Sequence, residues 1–218
     1  MKYKLGDICE EIREKILTSD LSEQEYISTD NMIVNRGGVI DAVSLPSSKK
    51  VQSFKCGDVL VSNIRPYFKK IWHATFEGGC SNDVLVFRAK QGVSGKFLYY
   101  TLSDDAFFSY ATSTAKGTKM PRGDKEAIME YPVDLPSYEL QEKRVILPCL
   151  FDELINYSSQ INKNLYVVVM MYRRKQECIT IKIYIVLIEK PLLNANVRAS
   201  KPLTMYQNDY STDVRMAA

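Results

Sequence analysis

The sequence has little histidine and no closely spaced cysteines. His73 is the single histidine, and the five cysteines are scattered without a Cys-x-x-Cys pair. A structural zinc site needs four ligands in tight clusters, so this pattern argues against a metal centre. Because the cysteines are odd in number and far apart, we expect reduced thiols and a cytoplasmic location.

Long apolar runs are also lacking. The longest ones, residues 166–172 and 179–187, fall short of the roughly 20 residues that cross a bilayer. Residues 1–7 turn polar at once and contain no apolar stretch of the kind that begins a secretory signal. We therefore expect neither a membrane span nor an exported chain.

Motifs of catalysis are missing or incomplete. The pairs Gly37-Gly38 and Gly78-Gly79 stand outside any phosphate-binding pattern, and His73 has no serine or cysteine motif beside it. The segment Asn63–Tyr67 partly matches the Asn-Pro-Pro-Tyr motif of adenine methyltransferases, but Ile64-Arg65 replaces the first proline. No glycine-rich turn upstream suits S-adenosylmethionine, so we expect no catalytic residues, no cofactor and no metal.

What is present suits a globular domain with an appendage. The 218 residues are 45% hydrophobic, which is enough for a substantial core. The net charge of +3 is unevenly placed, because residues 166–218 carry 8 Lys and Arg against 4 Asp and Glu. The rest is almost neutral, so any affinity for phosphates must come from a local basic patch.

The apolar spacing predicts an α+β fold. Residues 3–17 have the period of an amphipathic helix, and residues 26–87 contain short β runs broken by glycines. The β runs indicate a curled, mostly antiparallel sheet. Residues 95–110 predict a helix whose aromatic stripe packs in the core, and residues 131–133 a short strand.

A long helix is predicted over residues 137–165, with a heptad-like apolar seam for a second helix. The seam consists of Leu147, Leu150, Leu154, Tyr157, Ile161 and Leu165. Pro148 lies inside this segment, and an interior proline costs about 3 kcal/mol or kinks the helix. We therefore expect a bend or a break near Cys149.

Two basic segments are candidates for binding nucleic acid. Residues 62–70 place Arg and Lys beside Tyr and Phe at the end of a β run, and residues 116–125 form a basic, glycine-containing loop. Both segments also fit an ordinary solvated charged surface. The candidate DNA-binding residues are Ser62, Asn63, Arg65, Tyr67, Lys69, Lys70, Lys116, Thr118, Lys119 and Arg122.

An ordered set of short motifs resembles a known family. The motifs are Lys4–Ile8, Tyr26–Thr29, Gly57–Tyr67, Gly79–Asp83, Gly117–Arg122, Leu135-Pro136 and Gln160–Leu165. In this order they resemble one target-recognition domain and one spacer helix of the specificity subunit of type I restriction-modification enzymes. Each motif alone is weak, and the ordered set is specific.

The resemblance implies a division of the chain into three parts. Residues 1–136 would be a DNA target-recognition domain, and residues 137–165 a spacer helix that sets the distance to a second half-site. After Leu165 the family continues with more helix, whereas here the β-branched residues 167–169 follow and disfavour it. We expect residues 166–218 to be an atypical tail, produced by a frameshift or recombination near residue 165.

The resemblance also implies partners. The chain would read one half of a split sequence in double-stranded DNA and would work with modification (methyltransferase) and restriction (endonuclease and translocase) subunits. Because the chain has room for a single unit, two copies could form a homodimer through the spacer helix. The alternative is a truncated interaction subunit that binds modification subunits without productive DNA recognition.

Overall fold

The structure, a computed structural model, describes residues 2–174. The chain divides into two compact units, with the boundary between Asn164 and Leu165. The strands in the described part are β1 (Lys2–Lys4), β2 (Cys9–Glu11), β3 (Lys15–Leu17), β4 (Tyr26–Ile27), β5 (Lys50–Phe54), β6 (Val59–Ser62), β7 (Ile71–His73), β8 (Gly78–Cys80), β9 (Val84–Ala89) and β10 (Pro132–Asp134). The helices there are α1 (Leu5–Ile8), α2 (Gly95–Leu102), α3 (Asp105–Ser113), α4 (Lys125–Met129) and α5 (Tyr138–Arg174), with 3-10 turns at Thr18–Asp20 and Pro66–Phe68.

Within the described residues the strands form two four-stranded sheets and one separate pair. One sheet has the order β2-β9-β6-β7 and is antiparallel throughout. The other has the order β3-β5-β8-β4, and its β4 and β8 run parallel. The pair consists of β1 and β10, which are antiparallel. The α+β class and the mostly antiparallel pairing expected from the sequence are confirmed.

Strands β6 and β9 separate two hydrophobic cores, because alternate side chains of a strand face opposite sides of its sheet. Leu85 and Phe87 of β9 pack in one core with Phe107 of α3. Val86, between them, packs in the other core. A strand covered on both faces is a continuous apolar run, which explains why residues 84–87 lack polar alternation. Burying each large side chain here stabilises the fold by about 1.5–3 kcal/mol.

The amino-terminal segment is not the helix that its spacing predicts. Residues 3–17 contain the single helical turn α1, followed by β2 and β3. β2 pairs with β9 and β3 pairs with β5, so strands that are distant in sequence override the local helical period. Leu5, Ile8 and Ile12 are nevertheless buried, as the apolar spacing predicts.

The prediction of a single helix over residues 95–110 is also wrong, because α2 and α3 are separate helices with Ser103 and Asp104 between them. The Asp104 carboxylate accepts a hydrogen bond from the Ala106 backbone N–H and so caps α3. Both helices bury apolar side chains in the core that contains Leu85. The aromatic stripe is therefore core, as predicted.

The long helix α5 runs further than predicted, from Tyr138 to Arg174 rather than to residue 165. It is continuous through Pro148, so the expected break near Cys149 is not present. The β-branched residues 167–169 do not end it either. The remainder of the expected tail, residues 175–218, lies outside the described residues.

Gln141 fixes the start of α5 against the loop that precedes α2. Its buried side chain accepts a hydrogen bond from the Ser94 backbone N–H at 2.9 Å. Its amide nitrogen donates to the carbonyl oxygens of Gly92 and Pro136 at 3.2 and 3.0 Å. A buried amide with all these partners satisfied holds the helix in one orientation at this end.

Among the helices that the structure describes, none combines the length and the apolar character that a membrane crossing requires.

Candidate nucleic-acid interface

The basic segment after β6 forms a tight turn with two residues in an uncommon backbone conformation. Arg65 and Lys69 have φ values of 50° and 52°, in the left-handed region, on either side of the 3-10 turn Pro66–Phe68. The turn closes because the Ser62 backbone N–H donates to the Lys70 carbonyl at 3.0 Å. Left-handed residues other than glycine concentrate at functional sites, because the surroundings must hold them there.

A second turn holds the first one in place. The backbone N–H groups of Asn35 and Arg36 donate to the carbonyl oxygens of Phe68 and Lys69, both at 2.9 Å. Asn35 and Arg36 are themselves left-handed, with φ values of 54° and 63°. The four left-handed residues therefore lie in two turns that are bonded to each other.

The loop of residues 116–123 lies against the segment that follows β6. Lys116 and Arg122 close the loop through two backbone hydrogen bonds of 2.8 and 2.9 Å. The Arg65 N–H donates to the Pro121 carbonyl at 2.8 Å, and the Gly123 N–H donates to the Asn63 carbonyl at 3.1 Å. The two basic segments singled out by the sequence are thus joined into one surface, which we call the basic face.

Ion pairs with aspartates hold most of the charges on the basic face. Lys69 Nζ lies 2.8 Å from the Asp105 carboxylate, which also pairs with Arg36. Arg122 Nη2 lies 3.2 Å from Asp83 Oδ1, and Lys116 Nζ lies 2.5 Å from Asp124 Oδ2. Lys70 Nζ donates to the backbone carbonyl of Thr29 at 2.5 Å.

These contacts shift pKa values in the direction that keeps the groups charged. Hydrogen bonds from Lys69, and then from Arg36, lower the pKa of the Asp105 carboxyl to about 2. The bond between Lys116 and Asp124 raises the pKa of the lysine and lowers that of the aspartate. Asp105, Lys116 and Asp124 therefore keep their charges over the whole physiological pH range.

The predicted site residues differ in exposure. Ser62 and Asn63 are buried, at 3% and 6% exposure, so in this conformation they support the turn rather than face solvent. Exposed side chains at the face are Tyr67, Lys116, Thr118, Lys119 and Arg122, and half-buried ones are Arg65, Lys69 and Lys70.

Sequence reasoning missed two residues that build this face, Arg36 and Asp105, and it left Phe68 of the predicted basic segment out of the candidate residues. The Phe68 ring lies edge-on to Tyr67 at 4.8 Å, and the Arg65 guanidinium lies 6.0 Å from the Phe68 ring centre. The Asn35–Gly38 sequence is typical of a turn with left-handed residues, and this signal could have drawn attention to Arg36. Asp105 carries no comparable signal.

The described residues contain no cluster of three or more potential metal ligands. His73 is half-buried beside Tyr99, with 5.8 Å between ring centres, and burial lowers its pKa. The seam residues of α5 are all exposed, between 51% and 62%, and comprise Leu147, Leu150, Leu154, Tyr157, Ile161 and Leu165.

The fold and the basic face agree with a known class of protein. The family model of the type I restriction modification DNA specificity domain matches residues 1–169. The chain therefore belongs to this family, and the resemblance identified from the sequence motifs is confirmed.

This chain covers only part of the length of the relatives and solved structures that it matches. The specificity subunit of the type I restriction enzyme EcoDI from Escherichia coli is 30% identical over 110 residues, which are 50% of this chain and 24% of that protein. The HsdS subunit from Thermoanaerobacter tengcongensis superposes with a TM-score of 0.58 at 19% identity, over 79% of this chain and 47% of that one. The type I S subunit from M. genitalium gives 0.55 at 16% identity, over 76% and 42%. The chain thus spans a quarter to a half of the proteins that it matches.

Proposed function

We propose that this chain recognises a specific sequence in double-stranded DNA, as the specificity subunit of a type I restriction-modification complex, and reads one half of a bipartite target. The observation that carries the proposal is the family match over residues 1–169. The basic face supports it, because backbone hydrogen bonds fix the loop that carries exposed Lys and Arg side chains.

The proposed contacts divide into two kinds. Lys69, Lys116 and Lys119 contact phosphates and set the position of the duplex without reading sequence. Arg122 reaches a base edge, since a guanidinium can donate two hydrogen bonds to guanine O6 and N7. Tyr67 lies exposed beside these groups and stacks against the DNA or supports the turn.

In this proposal the chain provides recognition and performs no reaction. Its partners are modification subunits, which carry out methylation, and restriction subunits, which translocate and cleave DNA in the cytoplasm. Residues 1–136 act as the target-recognition domain and α5 as the spacer to which modification subunits or a second copy attach. The exposed apolar seam of α5 supports an association of this kind.

The experiment that tests the proposal is selection from a library of duplexes with a random core, with the purified chain alone and with its modification subunit. We expect enrichment of a short motif at moderate salt. Failure to enrich any motif in either mixture would contradict the proposed recognition.

Variants then test the assignment of contacts. We expect Arg122→Ala to lose discrimination at one position of the motif, worth about 1–3 kcal/mol. Lys69→Ala should weaken all sequences alike and reduce the slope of log K against log salt by about 0.9. Lys96→Ala is the matched control, because Lys96 is exposed and lies away from the basic face. It follows Gly95, which lies beside Gly57 before β6 begins, whereas the basic face follows the end of β6. Unchanged binding in both test variants would show that the contacts are assigned wrongly.

A further inference from the structure

The aspartates of the basic face are placed where a DNA phosphate would have to bind. Asp105 is the clearest case, because one carboxylate pairs with both Lys69 and Arg36. The Asp105 side chain is 67% exposed, whereas those of Lys69 and Arg36 are 30% and 31% exposed. A phosphate that approaches these two cations therefore meets the carboxylate before it reaches them.

Stability of the fold does not account for this arrangement. An ion pair whose carboxylate is mostly exposed contributes little to folding, because water and salt screen it and the side chains lose freedom. The cap of α3 is already supplied by Asp104, so the helix does not depend on Asp105 for that purpose. Asp124 differs, because its carboxylate caps α4 as well as pairing with Lys116.

The physical consequence is competition between two anions for the same cations. Binding to DNA of any sequence comes chiefly from phosphates that replace counterions at Lys and Arg. A carboxylate fixed beside Lys69 and Arg36 supplies the counter-charge internally. A phosphate must displace it or share the cations with it, and the gain from the contact falls accordingly. Because the pKa of Asp105 is near 2, this competition does not vary at physiological pH.

We propose that Asp105 is a built-in competitor for DNA phosphate, which holds Lys69 and Arg36 in place and restrains binding to DNA of unrelated sequence. The proposal rests on the proposed function and adds a restraint on the same face.

The test compares Asp105→Asn with the wild-type chain in fluorescence anisotropy on a labelled mixed-sequence duplex. Asparagine keeps the shape and removes the charge. We expect Kd to fall about threefold to tenfold near 0.1 M salt, and the slope of log K against log salt to become steeper by about 0.9, because one more phosphate is neutralised. Glu77→Gln is the control, since this substitution removes the same charge at an exposed position in the turn between β7 and β8.

Equal or weaker binding by Asp105→Asn would overturn the proposal, and weaker binding would identify Asp105 as a support for the two cations. A fall in Kd for Glu77→Gln of the same size would overturn it as well, because net charge alone would then explain the effect. Thermal melting checks folding, and Asp105→Ser replaces Asp105→Asn if that variant does not fold. A wild-type chain that binds no duplex contradicts the proposed function, whereas binding without the expected change contradicts only this inference.

Discussion

Gly123 controls how closely the loop of residues 116–123 approaches the end of β6. A Cβ atom at this position would lie 2.8 Å from Asn63 Oδ1 and 2.9 Å from Ile128 Cδ1, closer than such contacts allow. Asn63 is buried and its Oδ1 has no hydrogen-bond partner. An added Cβ atom would therefore have to displace the ends of two buried side chains, those of Asn63 and Ile128.

We expect Gly123→Ala to lower the free energy of unfolding by about 1–3 kcal/mol, as overpacking does, and to weaken DNA binding through displacement of the loop. Urea denaturation and anisotropy measure the two effects. Gly6→Ala is the matched control, because the Cβ atom added at Gly6 would lie 3.4 Å from its nearest neighbour, the carbonyl oxygen of Met129. An equal loss of stability in both variants would contradict the close approach.

Individual residues show where sequence reasoning succeeds and fails. Arg65 and Lys69 stand in a motif whose composition indicates binding, and the structure places them on either side of the turn after β6. Their role in binding stays a prediction. Arg36 and Asp105 reach the basic face from segments that are distant in sequence. Their role depends on pairing across the fold, which composition and local spacing do not encode.

Among the elements, α5 leaves a stripe of apolar side chains uncovered. Its apolar seam is exposed, and charged residues such as Asp152 and Glu153 stand between the seam positions. A helix with such a stripe is stabilised when the stripe is covered by a second helix.

We expect the purified chain to have the mass of a dimer at micromolar concentration, measured by light scattering after size exclusion. Leu154→Glu should give the monomer, because association would bury an unpaired charge. Ser159→Glu adds the same charge on the opposite side of the helix and should leave the dimer intact. A monomer in the wild-type chain would count against pairing of two copies.

The elements also show why periodicity alone is incomplete. The burial of Leu5, Ile8 and Ile12 follows from their spacing, but the helix does not form, since residues 9–11 pair with β9 and residues 15–17 pair with β5. The division between α2 and α3 was readable, because Ser103-Asp104 is a typical helix N-cap sequence inside the apolar pattern. The extent of α5 was underestimated because propensity is a weak guide within a long helix.

For the whole molecule, cysteine chemistry reports whether both cores are intact. Cys9 lies in one core and Cys80 in the other. Burial raises the pKa of each thiol to about 12, so neither forms the reactive thiolate near neutral pH. Cys56 is exposed in the turn before β6.

We expect iodoacetamide to modify Cys56 in the native chain while Cys9 and Cys80 stay unmodified. In denaturant all three should react. Peptide mass spectrometry measures the extent at each position. Early modification of Cys80 alone would show that the core around Met32 and Phe54 opens independently of the other.

The pairing of β1 with β10 has a consequence for the way this domain can be rearranged. Lys2 lies opposite Asp134, so the first and last strands of the proposed recognition domain leave it side by side. A short linker could therefore join residue 134 to residue 2, and new ends could be opened at the exposed residue Val43. The sequence of the domain could thus be circularly permuted. Because its natural ends are adjacent, the domain could also be inserted into a loop of another protein, and the distance between the two ends of that loop would change little.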